Sequence, residues 1–181
     1  MISTNERVVL RPLSLEDTDS IVRWRNADFV KKNLYTQDEL TSEQHIEYFH
    51  RFVETQKVIQ FIISVQENDL SLDIGTTFLK NIDKHNKKAE YGVFIGEKDA
   101  LGKGFGKIAT KLTLDYAFIS LDLNRVYLSV FADNVSAIKA YEKSGFFVEG
   151  KLIQDHLRCD GYADVIIMGI TREMWLSEQI I

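Results

Sequence analysis

Three glycines at alternate positions, Gly102, Gly104 and Gly106, stand directly before a segment with helical spacing of apolar residues. Glycine lets the backbone approach a ligand closely, and the first N–H groups of a helix point at any anion that docks there. Lys103 and Lys107 add positive charge at the rim of this turn. The pattern predicts a phosphate-binding turn, although a glycine turn that only joins a loop to a helix fits it equally well.

Two common phosphate-binding motifs do not fit this turn. A P-loop requires glycine at position 101 and serine or threonine at 108, where the chain has Leu101 and Ile108. The dinucleotide fingerprint requires glycine or alanine at position 107, which is Lys107, and an acidic residue at the end of the next strand. Asp122 has the right distance but precedes the predicted strand Val126 to Phe131. Both motifs are therefore disfavoured.

The elements that must position this turn are marked by apolar periodicity and by polar helix starts. Ser14 followed by Asp17, and Thr41 followed by Gln44, are typical of the first turn of a helix. Asn134 is suited to the N-cap of a later helix, which glycine at position 145 ends. A further helix begins at the glycine turn, and the predicted strands are Arg7 to Arg11, Val58 to Val65, Ile74 to Lys80, Ala89 to Ile95, Val126 to Phe131, Phe146 to Asp155 and Asp164 to Ile170.

The resulting order, β-α-α-β-β-β-α-β-α-β-β, predicts an α/β (α+β) fold. It corresponds to one mixed, mostly antiparallel sheet of about seven strands with helices on both faces. A chain of 181 residues with 45% hydrophobic residues suits a single domain over 1–181. The net charge of −5 disfavours a nucleic-acid partner, because it creates no positive field to attract a phosphate backbone. With one cysteine and neither a signal peptide nor a membrane-length apolar run, we expect a cytoplasmic protein without a membrane partner.

The segment from Asn134 to Phe146 resembles the GNAT superfamily of acyltransferases. The superfamily's helix motif Asn-x-x-Ala-x-x-x-Tyr-x-x-x-Gly-Phe is matched there at every fixed position. Its cofactor motif Gln/Arg-x-x-Gly-x-Gly/Ala is matched at Gly104 and Gly106, with Leu101 in place of Gln or Arg. The resemblance extends over nearly the whole chain, because the order of elements also agrees. It implies the GNAT fold and an acetyl-CoA-dependent N-acetyltransferase without a metal.

The resemblance also implies where acetyl-CoA binds. Its pyrophosphate is expected on the backbone N–H groups of the glycine turn, and the missing Gln or Arg at Leu101 is expected to weaken affinity rather than abolish the site. Asn134 either contacts the cofactor or only caps its helix. The residues expected to bind the cofactor are Val93, Phe94, Ile95, Leu101, Gly102, Lys103, Gly104, Phe105, Gly106, Lys107, Asn134, Ala137, Tyr141 and Lys143.

The catalytic roles follow from the same resemblance. Glu90, on the strand that runs beside the thioester, is expected to accept the amine proton directly or through water, and Tyr141 to protonate the departing thiolate. A backbone N–H between Val93 and Ile95 is expected to hold the oxyanion. Both residues also have an interpretation without a catalytic role: Glu90 fits a solvent-facing strand end, and Tyr141 fits a core position. Covalent catalysis by Cys159 is disfavoured, and His156-x-x-Cys159 has too few ligands for zinc.

The acceptor is expected beside the first two helices. Trp24-Arg25-Asn26, Val30-Lys31-Lys32-Asn33-Leu34-Tyr35 and the later histidine resemble the PseH-type branch, which acetylates a UDP-linked 4-amino sugar. This likeness implies a nucleotide-sugar acceptor, a small-molecule amine, in contact with Arg25, Lys32, Tyr35, His45 and Lys80.

Other branches of the GNAT superfamily acetylate other acceptors. The chain is also similar to RimJ/RimL enzymes, which acetylate ribosomal-protein N-termini, and to spermidine acetyltransferases. A polyamine acceptor requires an acidic pocket, for which Glu39, Glu43 and Glu47 are candidates. A non-catalytic acyl-CoA-binding sensor is the alternative outside enzymes. By resemblance, a homodimer can form through the last strands.

Overall fold

The computed structural model describes residues 6–67, 70–159 and 161–178. The seven strands are β1 (Glu6–Pro12), β2 (Ile59–Glu67), β3 (Leu70–Asp83), β4 (Lys88–Ile95), β5 (Arg125–Phe131), β6 (Phe147–Arg158) and β7 (Gly161–Thr171). The helices are α1 (Thr18–Asn26), α2 (Asp28–Lys31), α3 (Ser42–Tyr48), α4 (Phe105–Asp115), α5 (Val135–Glu142) and α6 (Arg172–Glu178). No helix within these ranges is both long and apolar enough to span a membrane.

All seven strands form a single sheet in the order β1-β2-β3-β4-β5-β7-β6. Neighbouring strands are antiparallel except for β4 and β5, which are parallel. These two strands pair only from Lys88 to Glu90 and from Arg125 to Tyr127, although both continue further. The sheet therefore splits between β4 and β5, and the predicted mixed, mostly antiparallel sheet is confirmed.

Helices cover both faces of the sheet, as predicted. Two adjacent residues of β2, Ile62 and Ile63, are both fully buried because side chains of a strand alternate between its faces. Ile63 belongs to the core cluster that contains Phe105 of α4, whereas Ile62 packs with Ile21 and Trp24 of α1. The helix that follows the glycine turn thus lies on one face, and the predicted acceptor-side helices lie on the other.

The predicted helix boundaries are confirmed where side chains or glycine satisfy free backbone groups. The Thr41 hydroxyl accepts from the Gln44 N–H, and the Asn134 side chain accepts from the Ala137 N–H. The end of α5 is a glycine-dependent cap, since Gly145 has φ of +89° and the following N–H donates back to the Tyr141 carbonyl at 3.1 Å. A helix cap depends on residues close together in the chain, so the sequence predicts it directly.

Two helices were not predicted, and several strands are longer than expected, β3 most of all. α2 has only four residues and α6 seven, so neither shows a clear period. α6 is held by tertiary packing, because Trp175 contacts Phe118 and its indole N–H donates to Asp115 at 3.0 Å. β3 begins at Leu70 instead of Ile74, and its exposed first residues pair with β2. The alternation of Leu70, Leu72 and Ile74 with polar residues was a strand signal present in the sequence.

Candidate active site

A cleft of about 1210 Å³ occupies the gap between β4 and β5. One wall is β4 from Glu90 to Ile95, and the opposite wall includes the end of β5 and the start of α5. The glycine turn closes one end, and the segment between α2 and α3 lines the other. The split in the sheet therefore brings the predicted phosphate site and the predicted acceptor side into one cavity.

The glycine turn has the geometry of an anion site. Gly102 and Gly104 adopt φ values of +73° and +88°, which side chains of L-residues rarely tolerate. The first hydrogen bond of α4 runs from the Ile108 N–H to the Gly104 carbonyl at 3.3 Å. The preceding N–H groups, those of Phe105 to Lys107, have no partner within the helix and are available to an anion. Leu101 lines the cleft beside them and is 46% exposed.

Three lysine side chains surround this end of the cleft. Lys107 and Lys143, both predicted, line it together with Lys139, which was not predicted. Lys139 precedes Lys143 by four residues, a spacing that places both on one side of a helix end and was visible in the sequence. Lys103 lines a separate surface depression of about 430 Å³ instead. Within the turn, Lys103 therefore contributes backbone rather than a cleft-facing side chain.

The cleft-facing edge of β4 supplies backbone polar groups. Val93, Phe94 and Ile95 line the cleft and pair with β3 on their other side. Beyond Glu90, no described strand pairs with the opposite edge of β4. Backbone groups on that edge can therefore bind an extended ligand or a developing oxyanion, as a strand adds to a sheet edge.

Glu90 lies in the cleft with both carboxylate oxygens occupied. Lys80 Nζ lies 3.0 Å from one oxygen, and Asn81 Nδ2 donates to the other at 2.9 Å. Lys80 and Glu90 are directly opposite each other in the β3–β4 ladder. The side chain of Glu90 is 17% exposed, so it is oriented by its partners and still reachable from the cleft. Lys80 lines the cleft as predicted, but its ammonium is bound to Glu90.

Tyr141 faces the same cleft from α5 and is supported by core aromatic rings. Its ring meets those of Tyr91 and Phe146 edge-on, at centroid distances of 6.2 and 5.9 Å. Burial raises the pKa of Tyr141 to about 12, and the charge of Tyr35 acts in the same direction. The phenol is therefore neutral near pH 7 and can act as a proton or hydrogen-bond donor.

The predicted acceptor residues separate into two groups. Lys32 and Tyr35 line the cleft, but Arg25 and His45 do not. His45 is 2% exposed, and its Nδ1 lies 3.1 Å from the Thr18 hydroxyl in the contact between α1 and α3. Burial lowers the pKa values of both Arg25 and His45. Neither side chain lines the cleft, so their prediction as cleft contacts is not supported by the geometry.

Several cleft residues were missed from the sequence. Ser129, Phe131 and Arg158 line the cleft, and Cys159 does so as an exposed free thiol. Alternation along β5 places Ser129 and Phe131 on the same face as Tyr127, a period-two signal that was available. No sequence pattern indicated Arg158, because only the pairing of β6 with β7 brings this residue to the cleft. In the described ranges, no three histidine, cysteine or acidic side chains form a cluster suited to a metal.

Comparison with known proteins agrees with this arrangement. Spermidine N(1)-acetyltransferase of Vibrio cholerae is 26% identical over 173 residues, covering 96% of this chain and 98% of the relative. Uncharacterized N-acetyltransferase p20 of Bacillus licheniformis is 31% identical over 172 residues, covering 86% and 87%. The crystal structure of the Vibrio cholerae spermidine N-acetyltransferase with CoA and spermine has a TM-score of 0.86 at 26% identity, covering 93% of this chain and 98% of that one.

The family assignment follows from the match along the chain itself. Residues 7–147 match the family model described as acetyltransferase (GNAT) domain. The matched range contains the glycine turn, Glu90, Tyr141 and the whole of α5. The chain therefore belongs to the GNAT family and is an acetyl-CoA-dependent N-acetyltransferase.

Proposed function

We propose that the protein transfers acetyl from acetyl-CoA to the primary amine of a small molecule by direct attack in a ternary complex. The observation that carries this proposal is that Glu90 and Tyr141 line the same cleft as the glycine turn. A carboxylate and a neutral phenol are the two groups that amide formation requires, one to accept a proton and one to donate. A non-catalytic acyl-CoA sensor has no need of either group at these positions.

The proposed chemistry transfers one proton from the amine to Glu90 and releases CoA as a thiolate. The amine attacks the thioester carbonyl and loses a proton to Glu90, directly or through water. Backbone N–H groups of β4 stabilise the tetrahedral oxyanion, which then collapses with cleavage of the C–S bond. Tyr141 donates toward the departing sulfur. A thiol has a pKa of about 8.5, so full proton transfer from Tyr141 is uphill and its main contribution is a hydrogen bond to the developing thiolate.

For the acceptor, the comparisons favour a polyamine over a nucleotide-sugar. The spermidine acetyltransferase of Vibrio cholerae aligns along nearly the full length both in sequence and in structure. Nothing in the comparisons supports the likeness to PseH-type enzymes, and Arg25 and His45 lie outside the cleft. We therefore propose a spermidine-like polyamine as the first acceptor to test.

The cleft itself favours a second candidate. Its acceptor end contains Lys32 and the Lys80–Glu90 pair, whereas Glu39, Glu43 and Glu47 do not line it. A polycation gains little from such a lining, while an amine on a molecule with an anionic group gains a partner in Lys32. Lys32 thus favours an amine carried on an anionic molecule as the alternative to spermidine.

A single assay decides between these classes. Release of CoA thiol from acetyl-CoA is measured with spermidine, a UDP-linked 4-amino sugar and a peptide with a free N-terminus, each over a range of concentrations. We expect one amine to accelerate release in a saturable manner. If every amine leaves the rate at the level without acceptor while CoA still raises the melting temperature, the transferase proposal is wrong and the sensor alternative gains support.

Substitution of Gly104 by valine tests the phosphate site. A β-branched residue at φ of +88° costs roughly 1–2 kcal/mol, so the turn is expected to leave this conformation and misalign its N–H groups. We expect acetyl-CoA to bind about ten-fold more weakly by calorimetry. Gly150→Ala is the control, because a Cβ there meets nothing within 4 Å. Equal affinities in Gly104→Val and Gly150→Ala would contradict the assignment.

The edge of the sheet is the proposed contact of a homodimer. β6 is the last strand of the sheet, and it exposes Phe147, Ile153 and Leu157 by 57%, 67% and 65%. An exposed apolar edge strand favours pairing with another strand. Light scattering after size-exclusion chromatography is expected to give twice the 20.9 kDa chain mass, and Ile153→Lys to reduce it. A monomeric wild type at micromolar concentration would contradict this pairing.

A further inference from the structure

The segment between α2 and α3 forms a cleft wall without being helix or strand. Its first residues follow α2 in a turn, and at its other end Leu40 exchanges two hydrogen bonds with the side chain of Asn26, each 2.8 Å long. Five of its residues line the cleft: Lys32, Asn33, Leu34, Tyr35 and Gln37. A wall of this kind keeps its shape only if its middle is also held, because an irregular segment has many accessible conformations.

His156 of β6 holds the middle of this segment. Its Nε2 lies 2.9 Å from the carbonyl oxygen of Tyr35, and since a carbonyl only accepts, Nε2 carries the hydrogen. The rings of His156 and Tyr35 also meet nearly perpendicularly, with centroids 4.9 Å apart. Phe131 contacts both rings, at 4.9 and 5.4 Å. This side-chain hydrogen bond therefore ties the sheet to the backbone of the segment.

A bulge in β6 turns His156 toward Tyr35. The pairing of β6 with β7 shifts between Leu152 and His156, and Gln154 has φ of +52°. The Gln154 N–H donates to the Asp164 carboxylate at 2.8 Å, which stabilises the bulge. A bulge redirects the side chains that follow it, and His156 is half-buried while the next residue remains exposed. The contact therefore depends on a specific feature of the strand.

Tyr35, whose backbone carbonyl accepts the hydrogen bond from His156, presents its phenol to the reacting groups. The hydroxyl oxygen of Tyr35 is buried without a hydrogen-bond partner among the described residues, and burial raises the pKa of Tyr35 to about 12. Tyr35, Glu90 and Tyr141 all line the cleft. The three groups therefore share one region of the cleft, and Tyr35 offers a neutral donor on the acceptor side.

We propose that His156, which does not line the cleft, is a positioning residue for acceptor binding. It fixes the Tyr35 hydroxyl where that group hydrogen-bonds the acceptor molecule. The inference rests on the proposed transfer to an amine, and it adds a residue on the outermost strand to the machinery of the acceptor side. A preorganised donor binds without the cost of ordering its segment on each encounter.

The kinetic test compares three variants with the wild type. His156→Ala removes the donor and the ring, His156→Gln retains an N–H donor, and Tyr162→Phe changes an exposed residue of β7 outside the cleft. We expect His156→Ala to raise the KM for the acceptor about five- to ten-fold, with the KM for acetyl-CoA unchanged, and His156→Gln to recover most of this loss. An unchanged acceptor KM in His156→Ala, or equal increases for both substrates, would overturn the proposal.

A second measurement does not depend on activity. Hydrogen exchange of the amides in residues 33–39 is followed without substrates. We expect several-fold faster exchange in His156→Ala, wild-type rates in Tyr162→Phe and intermediate rates in His156→Gln. Unchanged exchange in His156→Ala would overturn the positioning role even in an active enzyme. Conversely, if no amine accelerates CoA release in the wild type, the proposed function fails while the exchange data still decide whether His156 holds this segment.

Discussion

Replacing Tyr141 by phenylalanine is expected to lower kcat about 100-fold while CoA binding stays within about two-fold of the wild type. The substitution removes only the hydroxyl, and the ring keeps its contacts with Tyr91 and Phe146. The lost hydrogen bond acts on the thiolate that develops during C–S cleavage, so the effect falls on kcat rather than on binding. Steady-state kinetics with the acceptor that the CoA-release assay selects, together with CoA calorimetry, provide the measurement.

The control for this variant is Tyr162→Phe, because Tyr162 is 67% exposed and does not line the cleft. Equal kcat values for Tyr141→Phe and the wild type would remove the donor role of Tyr141. The pH dependence gives a second check. Since burial raises the pKa of Tyr141 to about 12, its donor form persists through pH 10, and kcat should not decline below that pH through loss of this proton.

The raised pKa of Tyr141 also predicts how the stability of the protein changes at alkaline pH. The unfolded chain releases this tyrosine proton at about pH 10, before the folded protein does. The stabilising contribution of neutral Tyr141 is therefore complete below pH 10 and is lost as the pH rises toward 12. In Tyr141→Phe, the melting temperature should fall less steeply across this window than in the wild type.

Replacing Glu90 by glutamine is expected to lower kcat/KM about 100-fold near pH 7, because glutamine cannot accept the amine proton. The amide has nearly the size of the carboxylate, so the side chain still fits beside Asn81, although the ion pair with Lys80 is lost. At higher pH, more of the amine is unprotonated, and the deficit relative to the wild type should shrink. A pH profile of kcat/KM from 6 to 10 measures both effects.

Two further variants separate proton transfer from structural damage. Glu149→Gln breaks a comparable ion pair, with Arg125, outside the cleft and should leave kcat/KM unchanged. Lys80→Met removes the partner of Glu90 but leaves the base in place, so its loss should be smaller than that of Glu90→Gln. If Glu90→Gln retained wild-type activity across the pH range, the proton would have to leave by another route.

The predictions that agree with the structure concern interactions between residues close in sequence. Thr41 and Asn134 cap helices because their side chains reach N–H groups three residues ahead. Gly104 takes a conformation that only glycine adopts readily, and it does so beside the helix that its own segment begins. Such features depend on a few neighbouring residues and are visible without knowledge of the fold.

The acceptor side shows what local patterns do not reveal. Arg25, Lys32, Tyr35 and His45 come from one continuous part of the chain, yet only Lys32 and Tyr35 reach the cleft. Their separation depends on how α1 and α3 pack against the sheet, which buries His45 against Thr18. The sequence placed these residues near one another but contained no information on which side each would face.

By itself, the sequence determined the GNAT family motifs, the order of most elements, the position of the glycine turn and the caps of its helices. Only the tertiary structure decided that Lys80 stands opposite Glu90, since strand register depends on pairing between separate segments. Only the tertiary structure brought His156 to Tyr35, across 121 positions of the chain. Contacts of this range depend on the packing of the whole sheet, whereas turns and caps depend on the chemistry of adjacent residues.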